Sequence, residues 1–267
     1  MTERTGRKSN PEGRMALKAH LIELRNRLFI SLGALFLAAI GGFFLYRPVL
    51  DLLIKPLKDA GGMANFSTAV SPFDIMIKVS LFLALIMASP VWLYELWAFI
   101  VPGLKKKEKR TALGFIAASV PLLLLGIYLG YWVLPHALIF FLGLTPDVAV
   151  NLITIPEYLS FVLRLLLAFG LSMIIPVLLV GLNMIGILPG RVIVKNWRIT
   201  VFLICLVAAM AAPGGDALTM FVLAGPLLVL FAAATVICLI NDKRRAKRRL
   251  AQEEENERLI ANGEPVD

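Results

Sequence analysis

Histidine and cysteine are nearly absent from this chain, with two of each in 267 residues. The histidines, His20 and His136, fall on opposite sides of the membrane in the topology derived below, so no His/Asp/Glu constellation of a polytopic enzyme can be assembled around them. Cys205 and Cys238 both lie in apolar stretches. Neither a disulfide framework nor a zinc site is supported; no cofactor or metal is expected, and both thiols read as small core residues. A GxxxxGK[ST] phosphate loop is missing, so no ATP site is visible. The first 27 residues are charged and hold no apolar run. A cleavable signal peptide is therefore not expected, and the first membrane helix must serve as the insertion signal.

What the chain has in excess is apolar length. Hydrophobic residues make up 59% of it, against about 45–50% in a soluble domain, and the mean hydropathy is +0.82. A membrane-crossing helix needs about 20 apolar residues. The runs 28–45, 75–101, 111–134, 158–188, 199–212 and 217–240 give six expected spans, the first at the lower length limit and the fifth short. Gly214, Gly215 and Asp216 make a turn between the last two, and such short spans would thin the bilayer locally. The fold class is thus all-α and polytopic. Residues 1–15 form a disordered arm, 16–240 a membrane domain, and 241–267 a basic then acidic tail. No internal repeat is evident by eye.

The formal charge of +9 is unevenly spread. Basic residues crowd the N-terminal arm, the run Lys105–Arg110 (KKKEKR), the link carrying Arg191, Lys195 and Arg198, and the tail from Lys243 to Arg249. The other connections are poor in them. The positive-inside rule puts both termini in the cytoplasm, in agreement with an even number of spans. The same charge argues for contact with anionic lipid, not nucleic acid. Pro90, Pro121, Pro176 and Pro226 fall inside spans and should kink or interrupt them, giving a curved, concave body.

Several motifs in order carry a family resemblance. His20-Leu21-Ile22-Glu23-Leu24-Arg25-Asn26-Arg27 precedes the first span; Ser71-Pro72-Phe73 opens the second. Ser89-Pro90-Val91, then Trp97-Ala98-Phe99-Ile100-Val101-Pro102-Gly103-Leu104, then Glu108-Lys109-Arg110 follow. Tyr158-Leu159-Ser160-Phe161 and Ala168-Phe169-Gly170 lie in the fourth span. Across about residues 16–240 the chain resembles the TatC family of twin-arginine protein translocases. It departs where that family often has a glutamate two residues before the proline matching Pro176: Ile174 stands there, and Arg164 lies earlier in the same span. Met220 stands where a glutamine is common.

The resemblance implies a non-enzymatic receptor and translocation core in the bacterial inner membrane. It would bind twin-arginine signal peptides of folded cargo and work with TatA and TatB, single-span subunits, with other copies of itself, and with the proton-motive force. It implies that Glu23 and Glu108 contribute to binding the paired arginines, with Arg25, Phe99 and Pro102 shaping the surface, and that Pro56, Phe73, Pro90, Glu95, Arg164 and Asp216 serve structure or transport. The chemistry fits, since a guanidinium fork matches a carboxylate as a lysine ammonium does not. The lysines around Glu108 would repel generic basic segments.

On spacing alone the residues allow plainer readings. Glu23 and Arg27, four apart, form an ordinary helix pair worth about 0.3–0.5 kcal/mol. Leu17, Leu21, Leu24 and Leu28 share one face of an interfacial amphipathic helix, with His20, Glu23 and Arg27 on the other. Phe99 and Pro102 read as an interfacial aromatic and a helix terminator, and Glu108 as the acid that relieves a basic loop. Arg164 is expected to reach an outer-side acid, with Asp216, Glu157 or Asp74 as candidates. Lys78 is expected to snorkel. Glu95, inside a span, contacts either a signal peptide or a partner helix. The alternative function is a small-molecule secondary transporter, which would want polar groups at the bilayer midplane in discontinuous helices; such groups are sparse.

Overall fold

Long apolar runs dictate helix, because in hydrocarbon every backbone N–H and C=O must be bonded within its own segment. The computed structural model describes residues 17–59, 63–66, 68–100, 108–143, 152–211 and 217–261. Among these, the helices are α1 (Leu17–Asp59), α2 (Ser71–Met87), α3 (Ser89–Ile100), α4 (Glu108–Gly143), α5 (Ile155–Met184), α6 (Gly190–Lys195), α7 (Trp197–Ala211) and α8 (Ala217–Ala261). The expected N-terminal arm and the turn at Asp216 lie outside the described residues, as does Pro102.

Four of these helices are long and apolar enough to cross a membrane: α1, α4, α5 and α8. The second expected span is two helices, α2 and α3, which pass the same test together but are bent by 59°. The break has a local cause. Ala88 still bonds back to Ala84 O at 2.8 Å, and Pro90 then sits in the first turn of α3, where its missing N–H leaves no bond unmade. The helix at the fifth expected span, α7, has 15 residues, about 22 Å of helix, well short of a hydrocarbon core of about 30 Å.

The helices overrun the expected spans because proline ends fewer of them than its chemistry suggests. α1 continues through Pro48 and Pro56 to Asp59, and α4 through Pro135 to Gly143. Both extensions are held by burial: Leu53 and Leu57 in the first, Ala137 and Leu138 in the second. Pro56, expected in a loop, is a buried residue of α1. It has no N–H for the carbonyl of Leu52, and the Tyr131 hydroxyl donates to that oxygen instead at 3.3 Å. Tyr158 donates to the neighbouring Leu53 carbonyl at 2.7 Å. Side chains from α4 and α5 thus satisfy backbone acceptors near the proline. α8 runs on past Ile240 for another 21 residues, to Ala261.

Small residues set the helix crossings. A Cβ at Gly126 of α4 would lie 2.6 Å from Phe169 O and 2.8 Å from Gly170 Cα of α5, so the two backbones touch there. α1 and α2 meet in the same way at Gly42, where a Cβ would come within 2.6 Å of Ser80 O. The main core, built around Leu57, Ile75, Val79, Leu134, Leu159 and Phe169, joins α1, α2, α4 and α5. At one end of the bundle, β1 (Met63–Asn65) pairs in parallel with β2 (Leu152–Thr154), in the register Met63↔Leu152. This two-stranded ladder links the connection after α1 to the one before α5.

Candidate functional site

The chemistry of a carboxylate on a lipid-facing helix depends on which way the helix is turned. In the first turns of α1, Leu21, Leu24 and Leu28 are exposed, while His20, Glu23 and Arg27 form the half-buried side. The polar stripe therefore packs on the protein and the leucines are left for lipid. It packs on α3, which is buried on two sides. Trp97, fully buried, stacks on Phe115 of α4 with ring centroids 4.2 Å apart and lies over Gly181 of α5. Two residues earlier, Glu95 is about 200° round the helix and faces α1 instead.

The result is a cluster of three charged side chains from two helices. Arg27 donates to Oε1 of Glu23 from Nε at 3.0 Å and from Nη2 at 2.6 Å. Its third edge, Nη1, donates to Oε2 of Glu95 at 2.9 Å. Glu95 is only 8% exposed. Among the described residues nothing donates to Oε2 of Glu23, although that atom is shut away from solvent. Beside the cluster, His20 and Phe99 stack with centroids 4.4 Å apart and planes 11° apart. The spacing-based pair Glu23–Arg27 forms, but its guanidinium is shared with a carboxylate 68 residues away, which spacing does not reveal.

The remaining candidates are dispersed. Arg25 is exposed and donates to its neighbour Asn26 at 3.2 Å, outside the cluster. Glu108 is the first residue of α4; its side chain is outside the described set. Phe73 is exposed in the first turn of α2 and Pro90 in the first turn of α3. Lys78 donates to Asp74 Oδ2 at 2.7 Å and to Ser160 Oγ at 3.1 Å, bridging α2 to α5. Arg164, one turn beyond Ser160, is exposed and lines the same groove of ≈ 460 Å³. The expected pairing of Arg164 with Glu157 or Asp74 is not made: Asp74 is engaged by Lys78, and Glu157 lies two turns back along α5, an exposed residue. Asp216, the third candidate, lies outside the described residues.

Sequence reasoning missed a second polar cluster, at the far end of α5. Asn183, 1% exposed, donates through Nδ2 to Leu188 O at 2.9 Å and to Asp242 Oδ1 at 2.8 Å. Gly190 N donates to Asp242 Oδ2 at 2.7 Å, and Asn241 Nδ2 to Asn183 Oδ1 at 2.9 Å. The turn between α5 and α6 needs Gly186, whose φ of 85° disfavours a side chain. Two asparagines and an aspartate at the ends of apolar runs were the available signal. No group of three or more metal-ligating side chains occurs among the described residues.

Comparison with known proteins agrees with this fold. The family model described as Sec-independent protein translocase protein (TatC) matches residues 19–226. The TatC protein of Xylanimonas cellulosilytica is 46% identical over 244 residues, 89% of this chain and 88% of that protein. That of Rothia mucilaginosa is 44% identical over 255 residues, 92% and 87% of the two chains. A crystal structure of the twin-arginine translocase receptor TatC in DDM superposes with a TM-score of 0.73 at 32% identity, covering 82% of this chain and 99% of that one. With two-thirds or more of each chain in register and the same helical architecture, this multi-pass membrane protein belongs to the TatC family of Sec-independent protein translocase components.

Proposed function

We propose that the chain is the signal-peptide receptor of a twin-arginine translocase, and that the arginines of the peptide dock on Glu23 and on Glu108. The observation that carries this is the half-buried Glu23 carboxylate, fixed at one end of α1 against α3 with one oxygen already accepting from a guanidinium. A carboxylate so placed selects a planar, multi-donor cation over an ammonium. His20 and Phe99 supply a stacked aromatic wall beside it. In this reading both termini and this site face the cytoplasm of a bacterial inner membrane, an orientation that the positive-inside rule supports. TatA, TatB and further copies of this chain are its partners in moving folded cargo, and the proton-motive force drives the step.

The test is binding of a labelled twin-arginine signal peptide, and of its twin-lysine analogue, to the purified protein in nanodiscs. Glu23→Gln and Glu108→Gln should each weaken the twin-arginine peptide by roughly 10-fold or more, the scale of losing a charge-assisted hydrogen bond. Binding indifferent to both substitutions and to the Arg/Lys exchange overturns the proposal.

A further inference from the structure

The receptor reading gives Arg27 no part, yet Arg27 stands at the centre of the cluster. It spends two N–H groups on a single oxygen of Glu23 and a third on Glu95. An ordinary pair four residues apart on a surface helix would not bring in a second carboxylate from another helix, nor bury it. Two carboxylates against one guanidinium leave a formal charge of −1, and the surplus is local: Oε2 of Glu23 is enclosed and unpartnered among the described residues. A buried acceptor without a donor is costly, and an enclosed negative charge favours any cation able to reach it. The cluster is thus one guanidinium short.

We propose that Arg27 is an internal stand-in for a ligand arginine. It holds Glu23 and Glu95 at the spacing of a guanidinium while the site is empty of peptide. On binding, it surrenders Glu23 to an arginine of the signal peptide and remains on Glu95. Glu95 is then a positioning residue: it does not touch the peptide, but gives Arg27 somewhere to go. This inference rests on the receptor reading. It also explains why the ligand must be arginine. The newcomer has to replace two N–H bonds to Oε1 and supply one to Oε2, which suits the coplanar donors of a guanidinium fork and not the tetrahedrally diverging donors of an ammonium. A ligand that only partly replaces the bonds it breaks leaves polar groups unpaired, the strongest source of discrimination in a binding site.

A double-mutant cycle in nanodiscs tests it, with Kd read for the twin-arginine and twin-lysine peptides. Glu95→Gln should weaken the arginine peptide by about 5-fold or more, the low end of coupling between linked sites, because Arg27 then has only Glu23 to hold. Arg27→Gln should tighten the arginine peptide and tighten the lysine peptide more, so that selectivity falls. In the double variant the loss caused by Glu95→Gln should vanish. Arg27→Lys, which keeps the charge with a single-point donor, should also tighten the arginine peptide, so a folding defect in one variant does not decide the matter. Additive effects, or weaker arginine binding by both Arg27 variants, overturn the stand-in. Should binding ignore Glu23→Gln, Glu108→Gln and the Arg/Lys exchange alike, the receptor reading itself falls, which is a different result.

Discussion

Replacing Asp242 with asparagine probes how the α5–α6 turn is locked to α8. Asp242 accepts from Gly190 N at 2.7 Å and from Asn183 Nδ2 at 2.8 Å, one bond to each carboxylate oxygen. Asparagine keeps one acceptor and turns an NH2 toward the other donor. One charge-assisted bond is lost and a donor is left facing a donor, at a cost of about 2 kcal/mol. Asn183 retains its bond to Leu188 O, which limits the damage to the turn. A local opening made easier by about 2 kcal/mol raises the exchange rate of the protected amides roughly 30-fold. Hydrogen–deuterium exchange of the protein in nanodiscs reads this directly: the peptide spanning Gly186–Lys195 should lose protection, while peptides of α4 do not change. Unchanged exchange at Gly190 would show that the carboxylate is replaceable there and that packing of Ile193 and Cys238 alone holds α6 on α8.

Other substitutions read other joints. Gly126→Ala should destabilise the protein by about 1–3 kcal/mol in detergent unfolding, because its Cβ meets the backbone of α5 and not a movable side chain. Gly181→Ala should cost a similar amount and shift the fluorescence of Trp97, whose ring has Phe115 behind it and no room to retreat. Tyr131→Phe should cost about 1 kcal/mol by stripping the donor from Leu52 O. In a Pro56→Ala background, where the helix can bond that oxygen itself, the same change should cost measurably less.

Which parts of this were open to sequence reasoning follows from the range of the interactions. Each of the six apolar runs carries helix among its described residues, the second as two helices, since hydropathy acts within a segment. The break at Ala88 was foreshadowed by Pro90, but helices run on through Pro48, Pro56 and Pro135, and at Pro56 the freed carbonyl is rescued by Tyr131, 79 residues away. The Glu23–Arg27 pair was legible because it is local; its sharing with Glu95 depends on how Trp97 turns α3, a packing fact. The contacts among Asn183, Asn241 and Asp242 join positions 58 and 59 residues apart, and no periodicity announces them. For Arg164 an intramembrane cation suggests an acid, but among the described candidates Asp74 is bonded to Lys78 and Glu157 lies two turns back along the helix.

The short parallel ladder has a consequence for how the protein is made. Met63 and its partner Leu152 lie about 90 residues apart in the chain. At ribosomal speeds of about 5–20 residues per second, β1 waits roughly 5–20 s for β2 to be synthesised. Throughout that interval the edge of Met63–Asn65 is without its β2 partner. The ladder is therefore a late stitch in biogenesis, and it records that α5 has arrived on the correct side of the helices threaded before it.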